Sequence, residues 1–346
     1  MTNPAEQDRH RPARRIDWID VAKGLGIILV VIGHVKLPLL KDWVYRFHMP
    51  MFFMLSGMVY RPAADMGFMA KRVRSLLIPY ASFLALLIVI DSSMDLMSHA
   101  RVRDLMVHDY HRVLHGVFGG RHLIAEFGVM WFVTCLFISI VAYNMVRRRF
   151  SDPLSPPLIA LMTLLFFLSF LVAPFSLPWN LALSPSAIVF LWLGEVWMAG
   201  FGGEEIADML RQPVTWVALV TAFISYFTTE QLDMKLGNLG TPVLSVIAAV
   251  AWSHLMLLVC RTMAVSGWAR ALLGPLGQAS IVILFMHRLL TDRLLPDLYP
   301  PLLVAVALGV PFLLYRLLKQ SGPVLRLLFL GEPLLTQTRA APRMAV

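Results

Sequence analysis

The chain has 346 residues, of which 58% are hydrophobic and only 15% are charged, and its mean hydropathy is +0.70. This composition excludes an ordinary soluble globular protein and predicts a polytopic membrane protein. The net charge of +9 does not indicate nucleic-acid binding, because the basic residues form short clusters beside apolar segments, where anionic membrane lipids are the expected partners.

With about twenty apolar residues per span, the sequence predicts ten transmembrane helices in one all-α bundle. They cover roughly residues 22–40, 44–60, 75–94, 127–146, 156–174, 184–201, 214–229, 241–260, 277–295 and 300–318. Lysine and arginine cluster before the first span and after the second, fourth, eighth and tenth, which predicts that both termini are cytoplasmic. The outer stretch 95–126, of mixed charge, is the main exception. The expected organisation is a basic cytoplasmic N-terminus (1–21), one membrane domain (22–318) and a cytoplasmic tail (319–346).

The first predicted span carries ionisable residues, which are costly in a membrane and therefore suggest a function. In RIDWIDVAKGLGIILVVIGH (15–34), Lys23 and His34 are eleven residues apart, about three turns, and share one helical face with Asp20 close to it. A neutral imidazole there can accept a proton from a hydroxyl, which makes His34 a candidate general base. The alternative is a structural histidine bonded to a neighbouring helix. Glycines that would let another helix or a ligand approach this segment are Gly24, Gly26 and Gly33.

The second predicted span begins with polar residues near the expected exit of the first. In RFHMPMFFMLSGMVYRP (46–62), Arg46 and His48 stand just outside the apolar run that Pro50 opens. We regard both as candidate substrate-binding residues. The alternative is an interfacial anchor at a proline-shaped helix start.

A basic cluster precedes the third span, in KRVRSLLIPY (71–80). Its cations are Lys71, Arg72 and Arg74. On spacing alone such a cluster is a topology signal. It also suits a phosphorylated donor, because arginine binds phosphate oxygens in pairs and lysine adds a point charge.

Two later spans carry further ionisable residues. His287 stands within LGPLGQASIVILFMHRLLTDRLL (273–295) beside Arg288, and Glu195 stands within LWLGEVWMAG (191–200). Histidines in two separate spans indicate a site inside the bundle, so His287 and Glu195 are candidate substrate-binding residues. For Glu195 the alternative is an ion pair with a buried cation. Composition also leaves open a proton-coupled transporter or flippase of a glycan-related substrate, in which the histidines relay protons.

Five segments of the chain together resemble the membrane-bound acyltransferase-3 family, and within it the fucose 4-O-acetylase-like acetyltransferases. They are RIDWIDVAKGLGIILVVIGHV (15–35), FHMPMFFMLSGMVY (47–60), KRVRSLLIPY (71–80), MWFVTCLFI (130–138) and LGQASIVILFMH (276–287). The resemblance implies an integral-membrane enzyme of the bacterial cytoplasmic (inner) membrane. It would move an acyl group, usually acetyl from cytoplasmic acetyl-CoA, to a sugar hydroxyl of an envelope or exported glycan, and no metal is expected.

The resemblance also implies roles for individual residues. The basic residue and the histidine of the family's first helix correspond to Lys23 and His34, with lysine where much of the family has arginine. The family's acyl-CoA cluster corresponds to Lys71, Arg72 and Arg74, although Ser75 stands where a second arginine of the usual pattern would be. We therefore expect His34 to activate the acceptor hydroxyl or to carry the acyl group briefly. Asp20 and Lys23 would orient the site or polarise the thioester carbonyl.

Overall fold

The computed structural model describes residues 17–97, 114 and 117–334. Within them the secondary structure is helical and contains no β-strand. The α-helices are α1 (Asp17–Gly33), α2 (Pro38–Val44), α3 (His48–Met58), α4 (Asp65–Arg72), α5 (Ile78–Met97), α6 (Trp131–Arg147), α7 (Pro156–Val172), α8 (Ser184–Phe201), α9 (Ile206–Arg211), α10 (Pro213–Thr228), α11 (Leu244–Val265), α12 (Gly267–Gln278), α13 (Ser280–Arg288), α14 (Pro300–Gln320) and α15 (Pro323–Leu330). Most of the predicted N-terminal segment 1–21, most of the outer stretch 95–126 and the end of the tail from 335 lie outside the described residues.

The helices confirm a membrane-spanning all-α protein. The segments long and apolar enough to cross a membrane are Met66–Leu96, Ala125–Arg147, Pro178–Phe201, Leu244–Val265 and Pro300–Gln320. A sixth crossing forms if α12 and the segment Ser280–Leu294, bent by 65° at their junction, count as one span. A helix occurs in each of the ten predicted spans, but α1, α3, α7, α10 and α13 have 17 residues or fewer. Since a full crossing takes about twenty, the count of ten is not confirmed.

The first helix lies in the middle of the bundle and packs most extensively against α12. Two glycines let their backbones meet. A β-carbon placed on Gly24 would lie 2.0 Å from the Leu273 carbonyl oxygen, and one placed on Gly277 would lie 2.0 Å from the Asp20 carbonyl oxygen. Both distances are far inside van der Waals contact, so any larger residue would separate the helices. The close approach predicted for the first span is thus confirmed at Gly24.

A second pair of glycines brings α3 and α8 together in the same way. A β-carbon on Gly57 would lie 1.9 Å from the Leu191 carbonyl oxygen, and one on Gly194 would lie 2.0 Å from the Met54 carbonyl oxygen. Helix α8 therefore packs closely against α3, as α12 packs against α1. The space between α1, α3, α6 and α13 holds the cavities described below.

Three loops close the end of the bundle at which α1 finishes. Asn180 donates its side-chain amide to the carbonyl of Lys235 at 3.4 Å, and Arg121 donates to the carbonyl of Ala173 at 2.8 Å. Gly237 has a positive φ of 72° and a β-carbon there would lie 2.0 Å from the Ala173 carbonyl oxygen, so this turn needs glycine. The loops therefore form a cover of defined shape over the end of the bundle.

Candidate active site

A cavity of about 150 Å³ lies where α1 ends, and we call it the His34 cavity. Its walls come from the end of α1, the turn after α2, the starts of α3 and α6, the end of α13 and the loop after α10. The polar side chains that line it are His34, Tyr45, His48, Asp233, Lys235 and Arg288. Three of these, His34, His48 and Arg288, stood in segments that the sequence analysis singled out.

The ring of His34 is held by hydrogen bonds at one nitrogen. Nη1 of Arg288 lies 2.9 Å from His34 Nδ1, and the hydroxyl of Tyr45 lies 3.4 Å from the same atom. Because a guanidinium has no lone pair to offer, Nδ1 must be the acceptor, and the ring is neutral with its proton on Nε2. The lone pair that could take a proton from a substrate is therefore at Nδ1, where Arg288 is bound.

A second histidine lies against the first. The rings of His34 and His287 have centroids 5.3 Å apart, and His287 is fully buried. Its Nδ1 lies 2.9 Å from the carbonyl of Ile283, which can only accept, so the proton is on Nδ1 and Nε2 carries the lone pair. Nε2 is buried and no described residue bonds to it. The two predicted histidines of separate spans thus come together inside the bundle.

The predicted residue His48 also reaches this site. It lines the His34 cavity, and its ring centroid is 4.9 Å from that of Tyr45. Its Nδ1 lies 2.9 Å from the carbonyl of Val44, one helical turn earlier. That bond fixes the ring orientation and leaves Nε2 as the proton-free nitrogen.

Arg288 is positioned by the segment that follows it. A π-helical stretch, Leu289–Leu294, begins directly after it, a feature often found at functional sites. Within that stretch Asp292 forms an ion pair with Nη2 of Arg288, and the hydroxyl of Thr291 donates to Asp292 at 2.8 Å. Since Nη2 is held by the carboxylate, Nη1 of the same guanidinium is aimed at His34.

Lys235 belongs to the site although the sequence analysis did not single it out. A β-carbon placed on Gly128 would lie 3.3 Å from Lys235 Nζ and 3.8 Å from Arg288 Cζ, so both cations border the same space. Burial lowers the pKa of Lys235 and the charge of Arg288 lowers it further, while Asp233 and Asp292 act in the opposite direction. In the sequence, the only feature that points to Lys235 is its place as a single lysine in a short loop between two predicted spans.

A second cavity, of about 210 Å³, lies next to the first along α1, and we call it the Lys23 cavity. Its polar side chains are Lys23, Ser56, Arg72 and Ser280. It shares three wall residues with the His34 cavity, which are Val30, Met49 and Leu284. Lys23 and His34, roughly 16 Å apart along the helix, therefore line two adjoining cavities.

Of the other residues predicted to act near Lys23, one lines the Lys23 cavity and the others lie outside it. Of the basic cluster, only Arg72 lines the Lys23 cavity, where its guanidinium lies 4.8 Å from the ring of Phe68. Lys71 is exposed, and Arg74 faces the chain segment around Pro333. Asp20 lines neither cavity. Helical periodicity explains the division, because adjacent residues of a helix point in different directions.

Arg46, predicted as a substrate-binding residue, lies outside both cavities. Its Nη1 donates to the carbonyl of Thr229 at 2.7 Å and to that of Ser225 at 3.1 Å, and its Nη2 donates to the carbonyl of Tyr226 at 3.1 Å. These carbonyls lie at the C-terminal end of α10, where the last carbonyls of a helix need partners from outside it, although that of Ser225 also accepts the backbone amide of Thr229 at 3.0 Å. The structure thus uses Arg46 as a cap that ties α10 to the turn before α3.

Glu195 also lies outside both cavities. Its carboxylate accepts two hydrogen bonds from Arg147, at 2.8 Å from Nη2 and at 2.9 Å from Nε, and a third from the hydroxyl of Tyr143. The Arg147 side chain is only 3% exposed. The structure therefore gives Glu195 the role of partner to a buried cation, the alternative that the sequence left open.

A search of curated proteins and a search of solved structures found no match to this chain. A family profile, described as the acyltransferase domain Acyl_transf_3, matches residues 16–318. The match covers most of the chain and includes every residue that lines the two cavities. The chain therefore belongs to the acyltransferase-3 family of integral-membrane acyltransferases.

Proposed function

We propose that this protein is an O-acetyltransferase of the bacterial cytoplasmic membrane, which moves an acetyl group from acetyl-CoA to a sugar hydroxyl of an envelope or exported glycan. The observation that carries the proposal is the pair of adjoining cavities along α1. A donor in the Lys23 cavity and an acceptor in the His34 cavity would meet at the walls that the cavities share. An acyl transfer needs such a junction of two separate binding spaces.

The Lys23 cavity suits the donor. Lys23 and Arg72 supply positive charge to it, and acyl-CoA carries anionic phosphates that arginine and lysine bind well. Helix α6 runs from Trp131 beside the His34 cavity to Arg147 at the opposite end, where Arg148 and Arg149 follow. Because arginine and lysine accumulate on the cytoplasmic side, we assign the Lys23 end to the cytoplasm, where acetyl-CoA is made.

In the proposed reaction His34 is the general base. The acceptor hydroxyl replaces Arg288 as the hydrogen-bond donor at Nδ1 and gives up its proton there. The hydroxyl oxygen then forms a bond to the thioester carbonyl carbon while the bond from that carbon to sulfur breaks. The imidazolium returns the proton to the thiolate of CoA, and the products are an acetyl ester and free CoA. Lys23 would help to hold and orient the donor in the Lys23 cavity, because about 16 Å along α1 separates it from the reacting carbonyl at His34.

The experiment is acetyl transfer by the purified protein in detergent, with isotope-labelled acetyl-CoA and a panel of free sugars and glycans. Free thiol and base-labile label on the acceptor are both measured. We expect His34→Gln to lower transfer by about 10²–10⁴-fold, the usual contribution of a side-chain base. A wild-type rate from this variant would contradict the assignment.

A matched control uses another intramembrane histidine. His254 is buried, accepts from Trp197 at 3.0 Å and is paired with Thr215 at 3.0 Å, and it lines neither cavity of the candidate site. We expect His254→Gln to lower thermal stability while the transfer rate per folded molecule stays near that of the wild type. A transporter, the competing class, would move a substrate unchanged and release no CoA thiol.

A further inference from the structure

The His34 cavity has an unusual charge arrangement. Lys235 and Arg288 both face the space over Gly128, in a cavity that is only partly open to solvent. Like charges that share a partly buried space repel each other, and the repulsion is strong where water is scarce. Such an arrangement is stabilised when an anion binds between the cations.

The charges on the protein do not balance these cations completely. Arg288 has an ion pair with Asp292. Among the residues that the structure describes, none forms an ion pair or a hydrogen bond with the ammonium of Lys235. The nearby Asp233 carboxylate instead accepts the backbone amide of Leu236 at 3.3 Å. The ammonium therefore keeps its donors for a ligand in the cavity.

Lys235 is also held in place, which a loop lysine on the surface would not be. Its neighbours Leu232 and Met234 are each 1% exposed and anchor the loop in the core. A bridge between Asp233 and Asn238 closes the turn, and Gly237 packs against the loop after α7. The turn therefore directs Lys235 toward the cavity in a fixed arrangement, and little conformational entropy is lost on binding.

We propose that Lys235 and Arg288 together bind a carboxylate or phosphate substituent of the acceptor and so place its neighbouring hydroxyl against His34 Nδ1. This inference rests on the proposed function and extends it from sugar hydroxyls in general to acidic sugars. When the Arg288 guanidinium turns toward the anion, it leaves His34 Nδ1. His34 therefore becomes available as a base only when an acceptor is bound. Until then Arg288 occupies the lone pair that would otherwise activate water against the thioester.

The first experiment measures binding without any reaction. Purified protein in detergent, without acetyl-CoA, is titrated with methyl β-D-glucuronide, glucose 6-phosphate and methyl β-D-glucoside at constant ionic strength, and Kd is obtained from the thermal shift. We expect at least one acidic sugar to bind about tenfold or more tightly than the neutral glucoside, because charge-assisted hydrogen bonds are added. Comparison of the two acidic sugars distinguishes carboxylate from phosphate.

Variants connect the preference to Lys235. Lys235→Met should abolish the preference for the acidic sugar, and Lys235→Arg should keep most of it. The matched control is Lys36→Met, because Lys36 follows α1 at the same end of the bundle but its side chain is 78% exposed and lines neither the His34 cavity nor the Lys23 cavity. The proposal is overturned if the neutral glucoside binds as tightly as both acidic sugars, or if the preference survives in Lys235→Met.

A second measurement uses the transfer reaction. Lys235→Met should raise KM for the acidic acceptor by about tenfold or more, and by a larger factor than for the neutral acceptor, while the exposed control Lys36→Met keeps both constants near those of the wild type. If kcat falls equally for acidic and neutral acceptors, Lys235 acts on the reacting carbonyl and the proposal is wrong. If acidic sugars bind as expected but no acetyl group is transferred, the anion site stands and the proposed function fails.

Discussion

Replacing Gly277 by alanine tests whether the close contact between α1 and α12 holds the active-site helix in place. The new β-carbon would lie 2.0 Å from the carbonyl oxygen of Asp20 and 3.0 Å from the amide nitrogen of Gly24. Real β-carbons essentially never come within 3.0 Å of such atoms. The helices therefore have to separate by about 1 Å, since neither backbone atom can turn away.

The same helix supplies the control. A β-carbon on Gly274, three residues earlier in α12, would meet no atom within 4 Å. Both substitutions gain helix propensity, about 1 kcal/mol for glycine to alanine, and this gain cancels in the comparison. What is left is the cost of overpacking, about 1–3 kcal/mol. With an unfolding entropy of about 2.1 cal/mol/K per residue, that cost corresponds to a Tm lower by roughly 1–4 °C in Gly277→Ala than in Gly274→Ala.

The assay is thermal unfolding in detergent together with acetyl transfer at a temperature where both variants are folded. Because α1 carries Lys23 and leads directly into His34, a displacement of about 1 Å should also lower the transfer rate, by up to about 10²-fold. Gly274→Ala should retain wild-type activity. Equal Tm values and equal rates for the two alanine variants would refute the argument that this glycine contact positions α1.

Two further predictions concern the route between the cavities. Val30→Phe places a ring in the wall that the cavities share. Acetyl transfer should therefore fall by on the order of tenfold or more, while the Kd for CoA changes less than about twofold. The control Val259→Phe, at a position 46% exposed on α11, should change neither acetyl transfer nor CoA binding. Arg72→Gln should weaken CoA binding by about tenfold, measured by competition with a fluorescent CoA analogue. Arg61→Gln, at an exposed position just before α4, should leave it unchanged, and a loss in both variants would indicate a diffuse charge effect.

Two predicted substrate-binding residues that lie outside both cavities show which contacts sequence reasoning does not reach. Arg46 and Glu195 were correctly identified as charged residues that need a reason inside a membrane protein. The reason proved to be a helix end for Arg46 and a buried arginine for Glu195. The partners of Arg46 and Glu195 are about 180 and about 50 residues away in the chain, respectively. Hydropathy and periodicity predict how deep a residue lies in the membrane and which face of its helix it is on, but they do not predict which distant segment packs against that face.

Lys235 shows the opposite case, because a residue without a sequence motif entered the site. A lone lysine in a short loop between two apolar spans is typical of a solvated turn. It reaches the cavity because the loop folds back over the bundle, with Leu232 and Met234 buried on either side of Asp233. That fold depends on the loop after α7, which supplies the bond from Asn180.

The sequence by itself determined the membrane-spanning, all-helical class and placed Lys23 in the first helix, because hydropathy and the helical repeat are local properties of the chain. The predicted helix was too long at its end, since α1 stops at Gly33 and His34 lies in the turn that follows. It also carried the family resemblance, which the match over residues 16–318 confirms at the level of the family. The tertiary structure decided which charges meet. Packing between segments far apart in sequence brings Arg288 to His34 Nδ1, places the two cavities side by side and inserts Lys235 into the site. No local pattern in the sequence encodes that packing.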